Sequence, residues 1–384
     1  MANIGLDATY LSIYGKGTSR YQHNLIKALA KKDKKNCYYI FLNRKNIIPQ
    51  LPQQENFRYI SACIPKRIIW DQVQLPIMAR KYKLDIYHSS LDTLPLLSKV
   101  KFLLFLFEIP DYRIEQASCG ERRYLYAQLS HGYCKFFFPL SLKKAAVIIA
   151  SSQSTKKDLM DKYNAEEKLI RVVYPASDEV FSPANSEKDL LNTRKKYNAE
   201  TGYIFHVSSS DPRDNTPTVI HAYHKALPGL NLPKKLIIYG DVDSKRMGLD
   251  KLIQDLNLER SAIFIKRFEN EEITKLAELY RAADVYVDPS LYEGFGLQVV
   301  EAMACGVPVI TSDVTSLPEI VGDAGILIEP TDIDGWAAAL VRVLTDSGFC
   351  QALRQKSLER TKFFSWDKNA EETLAIYDEL LAGQ

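Results

Sequence analysis

The sequence predicts an α/β protein built as two doubly wound parallel sheets flanked by helices. Three observations carry this expectation. Short β-branched and aromatic runs alternate with longer amphipathic stretches through most of the chain, the pattern of strands joined by helical crossovers. The strand-like runs are too many for one open sheet. The length of 384 residues points to two or three domains and not one.

In the first half the strand candidates are Ile4–Asp7, Tyr38–Leu42, Tyr59–Ile64, Asp85–His88, Phe102–Phe107, Val147–Ala150 and Arg171–Tyr174. Helical spacing marks Ser19–Lys31, Ile69–Lys81 and Gln153–Lys162 between them. In the second half the strands are Tyr203–Val207, Lys235–Tyr239, Ile263–Ile265, Val285–Val287, Pro308–Thr311 and Gly325–Ile328. Helices there include Thr216–Ala226, Glu271–Arg281 and Leu297–Ala304. Pro175 and Pro183 frame a polar stretch where the chain leaves one sheet, which divides it into domains 1–175 and 176–364. Residues 365–384 place Trp366, Ala370, Leu374, Tyr377 and Leu381 at helical spacing with no strand beside them. That segment is expected to pack back on the first domain.

With 46% hydrophobic and 25% charged residues, the composition excludes a disordered chain, a collagen-like fibre and a disulfide-stapled mini-protein. The six cysteines lie far apart, with no C-x-x-C pair, so neither a disulfide frame nor a zinc site is expected. No charged and apolar leader is visible, and no apolar run approaches the ~18 residues of a membrane span. A cytoplasmic protein is expected, peripheral on the inner face of the plasma membrane at most. The net charge of +3 hides a split. Residues 1–175 hold 28 Lys+Arg against 14 Asp+Glu, and the remainder 22 against 33.

The most informative stretch runs Pro289-Ser-Leu-Tyr-Glu-Gly-Phe-Gly-Leu-Gln-Val-Val-Glu-Ala-Met-Ala-Cys-Gly-Val-Pro-Val-Ile310. A strand gives way to a glycine loop, and a helix begins near Leu297. Gly294 and Gly296 permit close backbone approach to a ligand. Amides at a helix start, with the positive end of its dipole, favour phosphate. Glu293 in the loop and Glu301 in the helix bracket those amides, and carboxylates accept hydrogen bonds from vicinal hydroxyls. The combination suits a nucleotide-sugar; an ordinary helix start carrying surface glutamates is the plainer alternative.

The stretch from Ser290 resembles the E-x7-E signature of retaining family 4 glycosyltransferases with the GT-B fold. Leu317-Pro-Glu-Ile-Val-Gly-Asp-Ala-Gly, Phe364-Ser-Trp-Asp and the Pro175–Pro183 linker are similar too. The resemblance implies two Rossmann-like domains with a deep cleft between them and a C-terminal helix crossing back, the donor on the second domain and the acceptor on the first. It gives Glu293 the donor-sugar hydroxyls and Glu301 the ribose, with Gly294, Phe295, Gly296 and Leu297 along the sugar and diphosphate. The nucleoside would lie near Arg267 and Phe268. The first-domain loop Gly15, Lys16, Gly17 would face the phosphates. No metal and no other cofactor is implied, and Asp241-Val-Asp243 reads as a turn.

Two departures from the family pattern stand out. Where relatives carry an Arg and a Lys for the diphosphate, this chain has Ser209 and Asp214, with Arg213 the nearby cation. Where relatives have His-Asp after the fifth strand, it reads Phe107-Glu108. Glu108 is therefore a candidate for catalysis beside Glu293, and for acceptor contact together with His88. The expected activity is retaining transfer of a hexose, glucose from a UDP-sugar by family frequency, to a hydroxyl of a saccharide or lipid-linked acceptor. Nucleotide-sugar binding without transfer is the alternative, and nucleic acid is not an expected partner. The basic half is the acceptor half. That suggests an anionic acceptor or membrane met through Arg122, Arg123, Lys135, Lys143 and Lys144 and the aromatics Tyr124, Tyr126, Tyr133 and Phe136–Phe138 among them.

Overall fold

The computed structural model describes residues 1–11, 17–43, 51–62, 67–110, 121–268 and 273–383, with side chains omitted over 121–131. The chain forms two compact units, Met1–Pro175 with Ser365–Gln384, and Ala176–Phe364.

The first unit holds a seven-stranded sheet: β1 (Asn3–Ala8), β2 (Cys37–Asn43), β3 (Phe57–Ala62), β4 (Ile86–Ser89), β5 (Lys101–Leu106), β6 (Val147–Ala150) and β7 (Ile170–Val172). The order is β3-β2-β1-β4-β5-β6-β7, every neighbouring pair parallel. Both faces are covered, so these strands are apolar on both sides instead of alternating with polar residues. Along β5, Leu103 and Phe105 join the core under the helix Gly17–Lys32, while Phe102, Leu104 and Leu106 join Trp70, Leu75 and Phe138 on the other face. The C-terminal helix Trp366–Ala382 belongs to this unit. It buries Ala370, Ile376 and Tyr377 in the first of these cores, and Asn369 Nδ2 donates to Tyr174 O at 2.9 Å.

The helical stretch Arg67–Lys81 is not uniform. Trp70–Gln74 forms a π-turn, with Leu75 N–H donating to Trp70 O, five residues back. Pro76 follows at once; it has no N–H to give to the preceding turn, and widening that turn relieves the conflict. The helix Glu121–Lys144 is the largest element that the sequence pattern does not mark. Its charged and aromatic residues occur all round, so no stripe announces it.

The second unit holds β8 (Tyr203–Val207), β9 (Lys235–Tyr239), β10 (Ala262–Ile265), β11 (Val285–Asp288), β12 (Val309–Ser312) and β13 (Gly325–Ile328). They are parallel in the order β10-β9-β8-β11-β12-β13. One face packs Phe205 edge-on against Tyr280, 5.0 Å between centroids, and the other packs Ile238 and Val287 with Trp336. Each sheet reverses its strand order once, between β1 and β4 and between β8 and β11. Ligands of such sheets bind outside the carboxyl ends of the strands at that point.

Candidate active site

In the second unit the reversal pairs β8 with β11 and so brings Ser208, just past β8, to the end of β11, where Asp288 is followed by Pro289 and Ser290. Gly240, after β9, has φ +141° and sits so close that a Cβ would lie 1.8 Å from Ser208 O, which only glycine allows. Asp288 closes the end of β11 by accepting from Ser290 N and Oγ. Its other oxygen accepts from Tyr286 Oη at 3.2 Å. His206 is fully buried. Its Nδ1 lies 3.0 Å from the Val287 carbonyl and its Nε2 3.2 Å from Thr216 Oγ1, so Nδ1 carries the proton. Burial lowers its pKa.

The loop from Glu293 to Gly296 is pinned at its backbone. Glu293 N–H donates to Thr315 Oγ1 at 3.0 Å, and Ser316 Oγ donates to Glu293 O at 2.8 Å. Thr315 has φ +54°, rare for a β-branched residue and a sign of a conformation held by its surroundings. Phe295 is buried and meets Phe364 edge-on at 5.7 Å. Gly296 has φ +88°, and a Cβ there would lie 2.7 Å from Leu317 Cδ2. The helix Leu297–Ala304 then begins, which fulfils the expected loop-to-helix turn. Glu293 is half-buried, while Glu301 has no exposed surface. A carboxylate so withdrawn is tolerated only where it has donors to accept from. Thr315 and Ser316 escaped the sequence reading; two hydroxyl residues before a Leu-Pro helix start were the signal.

The sequence departures after β8 take a definite form. Arg213 is not an open cation: its Nε and Nη2 bind Asp211 Oδ2 at 3.0 and 2.8 Å. Ser209 donates through N and Oγ to Asp214 Oδ2 at 2.5 and 2.8 Å. Burial pushes the Asp214 carboxyl up to about 6, partly opposed by the Ser209 hydrogen bonds. Arg267 pairs with Asp241 at 3.1 Å, and Phe268 N–H donates to Tyr239 Oη at 3.1 Å beside the Tyr239 ring. Both follow the end of β10. Asp243 accepts from Arg246 N–H and so leads into the turn 244–248 that follows the Asp241-Val-Asp243 segment.

In the first unit, Gly15 and Lys16 lie outside the described residues. Gly17 opens the helix Gly17–Lys32, and its Cβ position would stand 4.0 Å from the Phe107 ring. Glu108 is half-buried just past β5; Ser151 and Thr155 hold the preceding carbonyl, Phe107 O, at 2.6 and 2.9 Å. The expectation that His88 faces an acceptor meets a correction. It is 2% exposed, with Nδ1 2.7 Å from Tyr377 Oη and Nε2 3.3 Å from Tyr21 Oη. Both ring nitrogens are spent on the interior, and burial pulls its pKa down to about 3. The C-terminal helix supplies one of the two tyrosines, a partner that no local pattern around residue 88 reveals.

Among the described residues, no group of three or more His, Cys, Asp or Glu could hold a metal. No described helix is long and apolar enough to cross a membrane.

Residues 189–360, within the second unit, match the family described as glycosyl transferases group 1. The O-antigen chain mannosyltransferase B of Escherichia coli is 27% identical over 380 residues, covering 94% of this chain and 95% of the relative. Sucrose-phosphate synthase from Thermosynechococcus elongatus superposes with a TM-score of 0.75 at 20% identity, covering all of both chains. Anabaena Alr3699/HepE, solved in complex with UDP and glucose, gives 0.73 at 15% identity, covering 99% of this chain and 100% of that one. At these identities the two structures speak for the fold alone, the two-Rossmann GT-B architecture.

Proposed function

We propose that this chain is a retaining hexosyltransferase that uses a nucleotide diphosphate-sugar and works in the synthesis of a surface polysaccharide or glycolipid. The observation carrying this reading is the Glu293–Gly296 loop. It is pinned by Thr315 and Ser316, opens onto a helix start, and is bracketed by half-buried Glu293 and buried Glu301. Glu293 would accept from donor-sugar hydroxyls and Glu301 from the ribose diol, with Arg267 and Phe268 nearest the base. The amides from Gly294 to Leu297 would hold the diphosphate, as helix starts hold anions.

In the same-face route the bond from the anomeric carbon to the phosphate oxygen breaks and the bond to the acceptor oxygen forms on the same side. The acceptor's proton passes to the departing phosphate, so no dedicated protein base is needed, and no step needs a metal. Arg213 neutralises its neighbour Asp211 in this structure, which shifts more of the leaving group's charge onto the amides. Glu108 is the carboxylate assigned to the acceptor side.

The relative covering nearly the whole chain is named for mannosyl transfer, while the Anabaena structure holds UDP and glucose. The test therefore titrates the protein with UDP- and GDP-linked glucose and mannose by calorimetry, then measures sugar transfer to saccharide and lipid-linked acceptors. Binding of none of them removes the donor assignment. Because Ser209, Asp214 and a neutralised Arg213 replace the family's two cations, binding with no turnover on any acceptor favours the non-catalytic reading.

A further inference from the structure

Exposed large apolar side chains are distributed unevenly. In the second unit Leu191, Leu232, Leu291 and Phe363 stand on separate elements. In the first unit Ile68, Ile69, Val73 and Ile77 share the single helical stretch Arg67–Lys81, exposed by 45%, 39%, 52% and 57%. Ile69, Val73 and Ile77 recur every fourth residue, so they form a stripe. The opposite side of this stretch buries Trp70, Leu75 and Ala79 in the core. The helix is thus apolar on two sides, one of them facing solvent.

The stripe is extended by neighbours held in place. Gln72 donates to Leu94 O at 3.0 Å and to Tyr133 Oη at 3.1 Å, and accepts from Leu96 N at 3.2 Å. It therefore ties the helix to the segment carrying Leu97, 87% exposed, and to the helix carrying Phe136, 66% exposed. Asp71 fixes the same junction from below, accepting from Thr93 Oγ1, Tyr133 Oη and Arg67 Nε. Exposed apolar side chains gathered on elements tied together in this way mark a surface made for contact.

Arg80, Lys81, Lys99 and Lys135, on the same elements, are all exposed. The unit as folded, with its C-terminal helix, carries 29 Lys+Arg against 19 Asp+Glu, whereas the other carries 21 against 28.

We propose that the Ile69–Val73–Ile77 face, with Leu97 and Phe136, docks the first unit onto an anionic lipid surface. Apolar side chains flanked by cations are what an interface of acyl chains and acidic headgroups accepts. Each basic residue near such a surface adds about 1 kcal/mol. A second copy pairing through this face would set the basic residues against each other. The contact region therefore keeps only Lys135 and Phe136 of the stretch expected over residues 122–144 and shifts its centre to Ile69–Ile77. There Tyr133 points inward to Asp71, Phe138 is fully buried, and the side chains of Arg122, Arg123, Tyr124 and Tyr126 lie outside the described residues.

The full chain is sedimented with vesicles of phosphatidylcholine alone and of equal parts phosphatidylcholine and phosphatidylglycerol. Binding to the anionic vesicles only is expected, with a loss of at least about tenfold in the double variant Val73→Ser/Ile77→Ser and a smaller loss in Arg80→Gln/Lys81→Gln. In parallel, the fluorescence of Val73→Trp is expected to shift to the blue on anionic vesicles, a readout that survives if the double variant folds poorly. Absence of binding, equal binding by folded variants, an unshifted Val73→Trp spectrum, or a wild-type dimer that Val73→Ser/Ile77→Ser dissociates overturns the proposal. Vesicle binding needs no donor, so its failure leaves the transferase reading standing.

Discussion

The two strand-order reversals carry the same pair of residue types with the positions exchanged. In the first unit the acid is on the first strand, where Asp7 Oδ1 accepts from Thr9 N and Oγ1 at 3.0 and 2.7 Å. The histidine, His88, is on the fourth strand of the reversal, β4. In the second unit the histidine, His206, is on the first strand, β8. The acid, Asp288, ends β11 and accepts from the N and Oγ of Ser290, two residues on. Each acid closes a strand end with a hydroxyl residue at i+2, and each histidine is buried and neutral.

What differs is the seal. His88 is closed off by Tyr21 and Tyr377, and Asp7 Oδ2 is buried with no hydrogen-bond partner among the described residues. At the second reversal the chain past Asp288 runs into the pinned glycine loop and a helix start. The first reversal is thus closed by packing, while the second leads into the loop to which the proposed function assigns its donor.

That contrast can be broken most directly at Glu293. Glu293→Gln is expected to lower kcat of the proposed transfer by about a hundredfold or more, the size of one lost transition-state contact, with an unchanged melting curve. Unaltered turnover would place the chemistry elsewhere. Gly296→Ala, forcing a side chain at φ +88° against Leu317, should cost roughly 1–3 kcal/mol. The loss should show as reduced amide protection in the second unit, measured by hydrogen exchange, together with weaker donor binding. Normal protection there would mean that the loop relaxes freely.

The pH responses sharpen the comparison. With a folded pKa of about 3 against 6.5 unfolded, His88 takes up no proton as the pH falls to 5, whereas the unfolded chain does. Its contribution is fully present above pH 6.5 and falls by about 2 kcal/mol by pH 5. A His88→Gln variant should lose less stability than wild type over that interval; parallel urea-denaturation profiles at each pH would contradict a sealed, neutral ring.

Asp214 works in the opposite sense. Its carboxyl is raised from 3.8 to about 6, so its penalty is present above pH 6 and relieved below. Wild type should gain about 1 kcal/mol relative to Asp214→Asn between pH 7 and 5. A constant difference across that range would show that Asp214 is ionised throughout.

Much of this was legible in the chain. All thirteen strands were placed to within a few residues, because fully buried parallel strands form dense apolar runs that polar loops interrupt. The loop-to-helix turn at Gly296 was legible for a different reason: only glycine tolerates that φ, so the backbone demand is written as a residue type. The helices Thr216–Ala226 and Leu297–Ala304 came out at their observed ends for related reasons. Pro217 sits in the first turn of one, where its missing N–H costs nothing, and Gly306 follows the end of the other.

The sequence by itself determined the two-sheet α/β architecture, the division at residue 175, and the loop-to-helix turn within the Glu293–Glu301 stretch. These depend on periodicity, on φ restrictions and on motifs contained within some twenty residues. Only the tertiary structure decided that His88 belongs to the core, that Asp211 holds Arg213, and that Gln72 assembles an exposed apolar face from three segments. His88 meets Tyr377 across 289 positions, and Gln72 reaches Tyr133 across 61. Such partners are chosen by how the sheet and its helices close on one another, so whether a polar side chain is sealed or offered to a ligand is settled only by packing.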